Sequence, residues 1–135
     1  MKKLLALGLC AAALLSCSTP GSGYLSGIHY AYYTVVVASG AFGTASGTVQ
    51  TAPSGGSVPF SGASLPYTSS TISMSFTGAG AVLTGTASAT SSVGAGPAAL
   101  TMGIWIDGIQ KYSATTTPAA AAGAAASVTV QTPLI

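Results

Sequence analysis

The chain has 135 residues, only 3% of them charged: three Lys, no Arg, one acid (Asp107) and one His (His29). An ordinary soluble domain is about 25% charged, so a basic surface for nucleic acid is excluded. A glycosidase mechanism built on a carboxylate pair lacks its second carboxylate.

In chain order, Lys2 and Lys3 come first and supply a positive n-region. Leu4 to Leu15 follows as twelve apolar or Gly residues. That is the length of a signal-peptide h-region and too short for a membrane-spanning helix, which needs about 20 apolar residues. The run ends in Leu14-Leu15-Ser16-Cys17. This resembles the lipobox of bacterial lipoproteins, in which an aliphatic residue, a tolerant position and a small residue precede the Cys that is lipidated and becomes the new N-terminus. Leu9 is too large for the small-residue position before Cys10. Ser18 resembles the residue found in lipoproteins sent on to the outer membrane. The alternatives are a secretory signal cut near Ser16 or Ser18, or an uncleaved anchor.

The resemblance implies residues 1–16 as signal peptide, Cys17 as the lipidation site and a bacterial cell-envelope location, at the outer membrane. Loss of Cys10 and acylation of Cys17 would leave no thiol and no disulfide. More than one acyl chain on one Cys anchors stably without a transmembrane helix. Lys111 and Asp107 would then be the only charged residues of the mature chain besides His29, for a formal net charge of zero. Near-zero net charge favours association.

Residues 17–27, with Ser18–Gly27 reading STPGSGYLSG, form a Gly/Ser/Pro tether. Residues 28–135 are enough for one domain and not for two. From Gly27 to Ala38, Ile28, Tyr30, Tyr32, Thr34 and Val36 alternate with His29, Ala31, Tyr33, Val35 and Val37. Both faces are largely apolar, which predicts a strand buried on both sides. Weaker candidates lie at Ala45–Thr51 and Ser57–Phe60. Ser70 to Thr77 places Ile72, Met74 and Phe76 on one face and hydroxyls on the other, the pattern of a half-buried strand. Gly78-Ala79-Gly80 allows a turn into Ala81–Ser88.

After a Ser/Gly/Pro loop through Pro97, Ala98–Ile106 alternates again, and Asp107-Gly108 is the strongest hairpin signal in the chain. Ile109–Tyr112 is its return strand. Pro118–Ala126 reads as a loop or one helical turn, and Ala126–Thr132 as a last strand. The expectation is an all-β antiparallel sandwich or jelly roll of about seven or eight strands after an N-terminal signal helix.

Phe76-Thr77-Gly78-Ala79-Gly80-Ala81-Val82-Leu83, followed by Gly103-Ile104-Trp105-Ile106-Asp107-Gly108, resembles the core of galactose-binding-like jelly-roll modules. These often carry F-T-G-x-G-x-x-L and then a strand ending in a hydrophobic-Asp-Gly hairpin. Many such modules bind sugars without catalysis. The resemblance covers about 40 residues and carries the fold; no loop residue here matches the family's sugar contacts.

A Ser–His–Asp set can be spelled from a serine, His29 and Asp107, but no G-x-S-x-G elbow is present. Asp107 and Gly108 are needed as turn residues. His29, between Ile28 and Tyr30, reads first as a hydrogen-bonded neutral His at a strand start. A metal site resting on His29 and Asp107 has two ligands where zinc takes at least three. That leaves only a calcium site built mostly from carbonyls. No cofactor motif is present.

Trp105 is out of phase with Leu100, Met102, Ile104 and Ile106, so it faces outward if the Ile face is the core. With Tyr30, Tyr32 and Tyr33, and with Tyr24 and Tyr67 nearby in pattern, it is the candidate ligand platform. The plainer alternative packs Trp105 under a loop. The sequence thus points to a non-enzymatic, lipid-anchored envelope module binding a glycan or a protein. A self-assembling, homo-oligomeric subunit of an envelope layer or fibre is the alternative.

Overall fold

The computed structural model describes residues 23–37, 42–91, 99–117 and 123–135. The expected signal helix, Cys17, the Ser/Gly/Pro loop and most of the Ala tract lie outside them.

Two antiparallel sheets pack face to face as a β-sandwich of nine strands: β1 (Ser26–Val37), β2 (Phe42–Gln50), β3 (Ser57–Ser64), β4 (Tyr67–Thr68), β5 (Ile72–Thr77), β6 (Thr84–Ser91), β7 (Leu100–Ile106), β8 (Ile109–Thr116) and β9 (Ala125–Gln131). The first sheet runs β4-β1-β7-β8 with β5 also on β1; the second runs β3-β2-β6-β9. Among the described residues no helix is long and apolar enough to cross a membrane.

The period-2 patterns become two unequal inner faces. The first sheet contributes large side chains: Tyr33, Val35, Met74, Phe76, Leu100, Met102, Ile104 and Ile106 are all buried. The second contributes mostly small ones, Ala45, Val49, Ala87, Ala89, Ala126, Val128 and Val130, with Phe42 at the start of β2 as the large exception. Large against small is how facing layers reach interior packing density without voids. Gly85 of β6 is the extreme case. A Cβ there would lie 2.4 Å from Met102 Cε and 3.1 Å from Tyr33 Cδ1. The Tyr33 ring therefore occupies space that any side chain at position 85 would need.

The expectation that β1 is buried on both faces is corrected. Ala31, Tyr33 and Val35 are fully buried, but Tyr30 and Val36 on the opposite face are exposed. Among the described residues no second layer covers that face, and its aromatic and β-branched residues form the sheet's outer surface. β1 also begins at Ser26, so the last two residues expected in the tether belong to the strand. β6 starts three residues later than expected. Ala81 and Leu83 pair instead with the chain's end, through Ala81 N–H to Ile135 O (3.1 Å) and Thr132 N–H to Leu83 O (2.9 Å).

β4 and β5 are two pieces of one edge lying on β1. At the break, the Ser69 hydroxyl accepts the Tyr33 N–H at 2.9 Å, and the Ser69 N–H donates to Tyr33 O at 2.9 Å. A side chain thus replaces a missing ladder partner at a buried position, where an unpaired N–H is costly.

The outer face of the second sheet shows how a nearly chargeless chain stays wet. Its strands align like with like: Ser46, Ser88 and Ser127 form one rank, Thr48, Thr86 and Thr129 the next. Thr48 and Thr86 share a 2.8 Å hydroxyl–hydroxyl bond. Hydroxyls here do the hydrating that Lys and Glu do elsewhere, and cross-strand Thr pairs add about 0.2–1 kcal/mol each.

Candidate functional site

The outer face of the first sheet is built by β1 and β7. Their register sets Tyr32 opposite Trp105 and Thr34 opposite Gly103. The two aromatic rings stack with centroids 5.6 Å apart and planes 9° from parallel, within the range in which aromatic pairs attract. The Trp105 indole N–H donates to Thr34 Oγ1 at 3.1 Å, one residue pair further along the ladder. Gly103 makes this possible: a Cβ there would lie 3.3 Å from Trp105 Nε1 and 2.9 Å from Thr34 Oγ1. The indole lies over the gap that glycine leaves.

Trp105 therefore faces outward, out of phase with the buried Leu100, Met102, Ile104 and Ile106, and it is half-buried, with Tyr32 stacked on it and Thr34 bonded to it. Tyr30 stands beside this pair on the same strand face, 56% exposed. Of the four residues expected in the platform, three share the surface. Tyr33 does not: it alternates to the inner face and is 0% exposed. Its hydroxyl donates to the Gln50 carbonyl at 3.0 Å, and burial pushes its pKa up to about 12. Tyr67 stacks on Phe60 at 4.5 Å beside β3, and Tyr24 covers Gly80, so neither joins the platform.

At the start of β1 the structure brings together the two titratable residues that sequence reasoning had kept apart. Asp107 and Gly108 both have positive φ, 51° and 77°, the two-residue turn that matches strand twist. That turn points the Asp107 carboxylate back at β1. Its Oδ1 accepts the Tyr30 N–H at 2.9 Å, and its Oδ2 lies 2.6 Å from His29 Nδ1. His29 Nε2 faces the Ser26 carbonyl at 3.1 Å. Both partners are acceptors, so the ring satisfies both only as the imidazolium.

The hydrogen bond to Asp107 raises the His29 pKa above its ordinary value, and the same bond lowers that of Asp107. His29 is thus a hydrogen-bonded histidine at the strand start, and both of its partners favour its charged form. Its Nε2 meets a main-chain carbonyl and no serine hydroxyl, so the nucleophile–base contact of a triad is not formed. Among the described residues no three His, Cys, Asp or Glu side chains gather as metal ligands.

A cleft of about 230 Å³ lies between Leu25, Phe76, Ala81 and the turn at Pro53 and Ser54. Small-molecule sites usually begin near 300 Å³, and no charged group faces into it. The aromatic face remains the better candidate. The one signal for it in the sequence was phase: a lone Trp opposite a run of Leu, Met and Ile. No protein-family profile matches the sequence, and no curated protein matches it significantly.

Proposed function

We propose that the chain is a non-enzymatic, lipid-anchored envelope protein whose β-sandwich binds a glycan on the outer face of β1 and β7. The observation that carries this reading is the Tyr32–Trp105 stack with Tyr30 exposed beside it. Rings fixed by a hydrogen bond and a glycine gap lose little freedom on binding, and apolar sugar faces stack on such surfaces. Thr34 and Thr101 on the same face offer hydroxyls to a sugar. The resemblance to galactose-binding-like jelly-roll modules supports the same class of ligand, the lipobox at Leu14–Cys17 supports the lipid anchor, and Ser18 after it supports the outer membrane as the location.

Glycan-array screening of the whole chain in detergent tests this. Binding that falls at least tenfold in both Trp105→Ala and Tyr30→Ala supports the platform. Tyr30 makes no side-chain bond in the fold, so its loss leaves the sandwich intact. Absent binding, or binding in either variant equal to that of the unsubstituted chain, rejects it.

A second reading is favoured by the second sheet, where Ser and Thr ranks form a flat, chargeless surface. Such a face suits packing against copies of itself in an envelope layer or fibre. Sedimentation of the chain at high concentration decides: a clean monomer rejects this alternative.

A further inference from the structure

We infer that the end of the sandwich at which the chain enters β1 seats on the bilayer surface as an interfacial rim, so that the domain stands on the membrane with the Tyr32–Trp105 face along its side. This rests on the reading of Cys17 as the anchor.

The register defines that end. Ser26 pairs with Thr77, Gln50 with Ser57, and Thr84 with Gln131, so the starts of β1, β3 and β6 and the ends of β2, β5 and β9 lie together. The cleft joining Pro53 and Ser54 to Phe76 and Ala81 shows that both sheets meet there. The Asp107-Gly108 turn reaches down to the level of Tyr30.

Exposed apolar side chains concentrate at this end. Among the described residues eight large ones are exposed, and four of them belong to it: Tyr24 (45%), Ile28 (67%), Val58 (52%) and Leu134 (59%). Tyr30 and Ile109 lie just above, at the level of the Asp107-Gly108 turn, while Tyr112 sits further along β8 and Val36 at the far end of β1. The four come from separate segments, before β1, in β1, in β3 and after β9, so no single strand carries more than one of them. Pairing with a second copy uses one continuous strand edge; a lipid surface needs only projecting apolar tips.

The polar chemistry fits the headgroup layer. Tyr24 presents an apolar ring with a polar tip, the side-chain type enriched at membrane interfaces. His29 and Asp107 are paired with each other, and Lys111 beside the hairpin supplies a cation for anionic headgroups.

Reach closes the argument. Five residues separate Cys17 from Gly23, six steps with a fully extended span of only ~20 Å. An acylated Cys17 therefore holds this end, and no other, against the bilayer.

The test is hydroxyl-radical footprinting of the full exported chain in vesicles of phosphatidylethanolamine and phosphatidylglycerol, after intact-mass measurement of acylation. Tyr24 should be oxidised at least threefold less than in an Ile28→Glu/Leu134→Lys chain of the same acyl mass, with Val36 and Tyr67 equal in both. Both substituted residues are exposed, so the variant keeps the fold. Equal Tyr24 oxidation in the two chains overturns the rim. A mass without acyl groups overturns the anchor reading instead. The rim then still requires protection of Tyr24 in the vesicle-bound chain, and its absence there rejects the rim as well.

Discussion

Asp107 and His29 are 78 residues apart in sequence and 2.6 Å apart in the fold. The β1–β7 ladder ends at Ala31 and Ile106, and Asp107 carries it one step further. Its N–H donates to the Tyr30 carbonyl at 2.8 Å, while its carboxylate takes the Tyr30 N–H and the His29 ring. One turn residue thus ties the β7–β8 hairpin to the first strand and holds the chain's only acid against its only histidine.

Stability should therefore depend on pH with two limbs. His29 has a raised pKa when folded, so its contribution is complete below the unfolded value of about 6.5 and is lost as pH rises through the folded one. Asp107 has a lowered pKa, so its contribution is complete above about 3.9 and is lost as pH falls. The melting temperature should peak between about pH 4 and 6.5 and decline on both sides. Asp107→Asn keeps a residue that tolerates positive φ and should flatten both limbs. A variant whose profile matches the wild type would show that the pair contributes nothing.

Gly103 should matter through Trp105. In Gly103→Val the new side chain meets Thr34 Oγ1 and Trp105 Nε1, so the indole must lift and lose its bond to Thr34. The expected outcome is a red-shifted Trp emission and a weakened near-ultraviolet dichroism, from a single tryptophan, with far-ultraviolet dichroism unchanged. Unaltered emission would mean the indole does not rest over Gly103.

Fold class was legible because alternation and Asp-Gly punctuation are local signals. Ile72, Met74 and Phe76 announced a half-buried strand, and Asp107-Gly108 fixed the hairpin. β1 misled because apolarity alone cannot distinguish a second buried face from an outer aromatic surface; only the absence of a covering layer decides that. Tyr33 was assigned to the platform together with Tyr30 and Tyr32, although strand alternation separates it from both. The pairing of His29 with Asp107 was illegible because it depends on which strands neighbour β1. The gap-bridging Ser69 and the late start of β6 depend in the same way on long-range register.

Ser69 should be worth more than its size. Ser69→Ala leaves the Tyr33 N–H without an acceptor in the interior of the first sheet, where its bond to Ser69 Oγ is 2.9 Å. An orphaned buried donor costs about 1–3 kcal/mol. Chemical denaturation should show a loss of that size, with rapid hydrogen exchange at the Tyr33 amide. A loss below about 0.5 kcal/mol, the level of an ordinary surface change, would mean that another group takes the bond.

Tyr33 and Gly85 should respond as one unit across the sandwich. The ring fills the space over Gly85, and the hydroxyl ties β1 to the end of β2 through the Gln50 carbonyl at 3.0 Å. The Gln50 side chain in turn accepts the Thr84 N–H at 2.8 Å and donates to the Ala52 carbonyl at 2.7 Å, so β2 and β6 are locked at the same point. Tyr33→Phe keeps the packing and removes the tie, and should cost about 1–3 kcal/mol for the carbonyl left unpaired. Gly85→Ala forces Met102 and Tyr33 aside and should cost a similar ~1–3 kcal/mol by overpacking. Combined with Tyr33→Leu, which clears the ring, Gly85→Ala should cost less than it does alone. Simple additivity in that double-mutant cycle would show that the two positions do not share the space between the sheets.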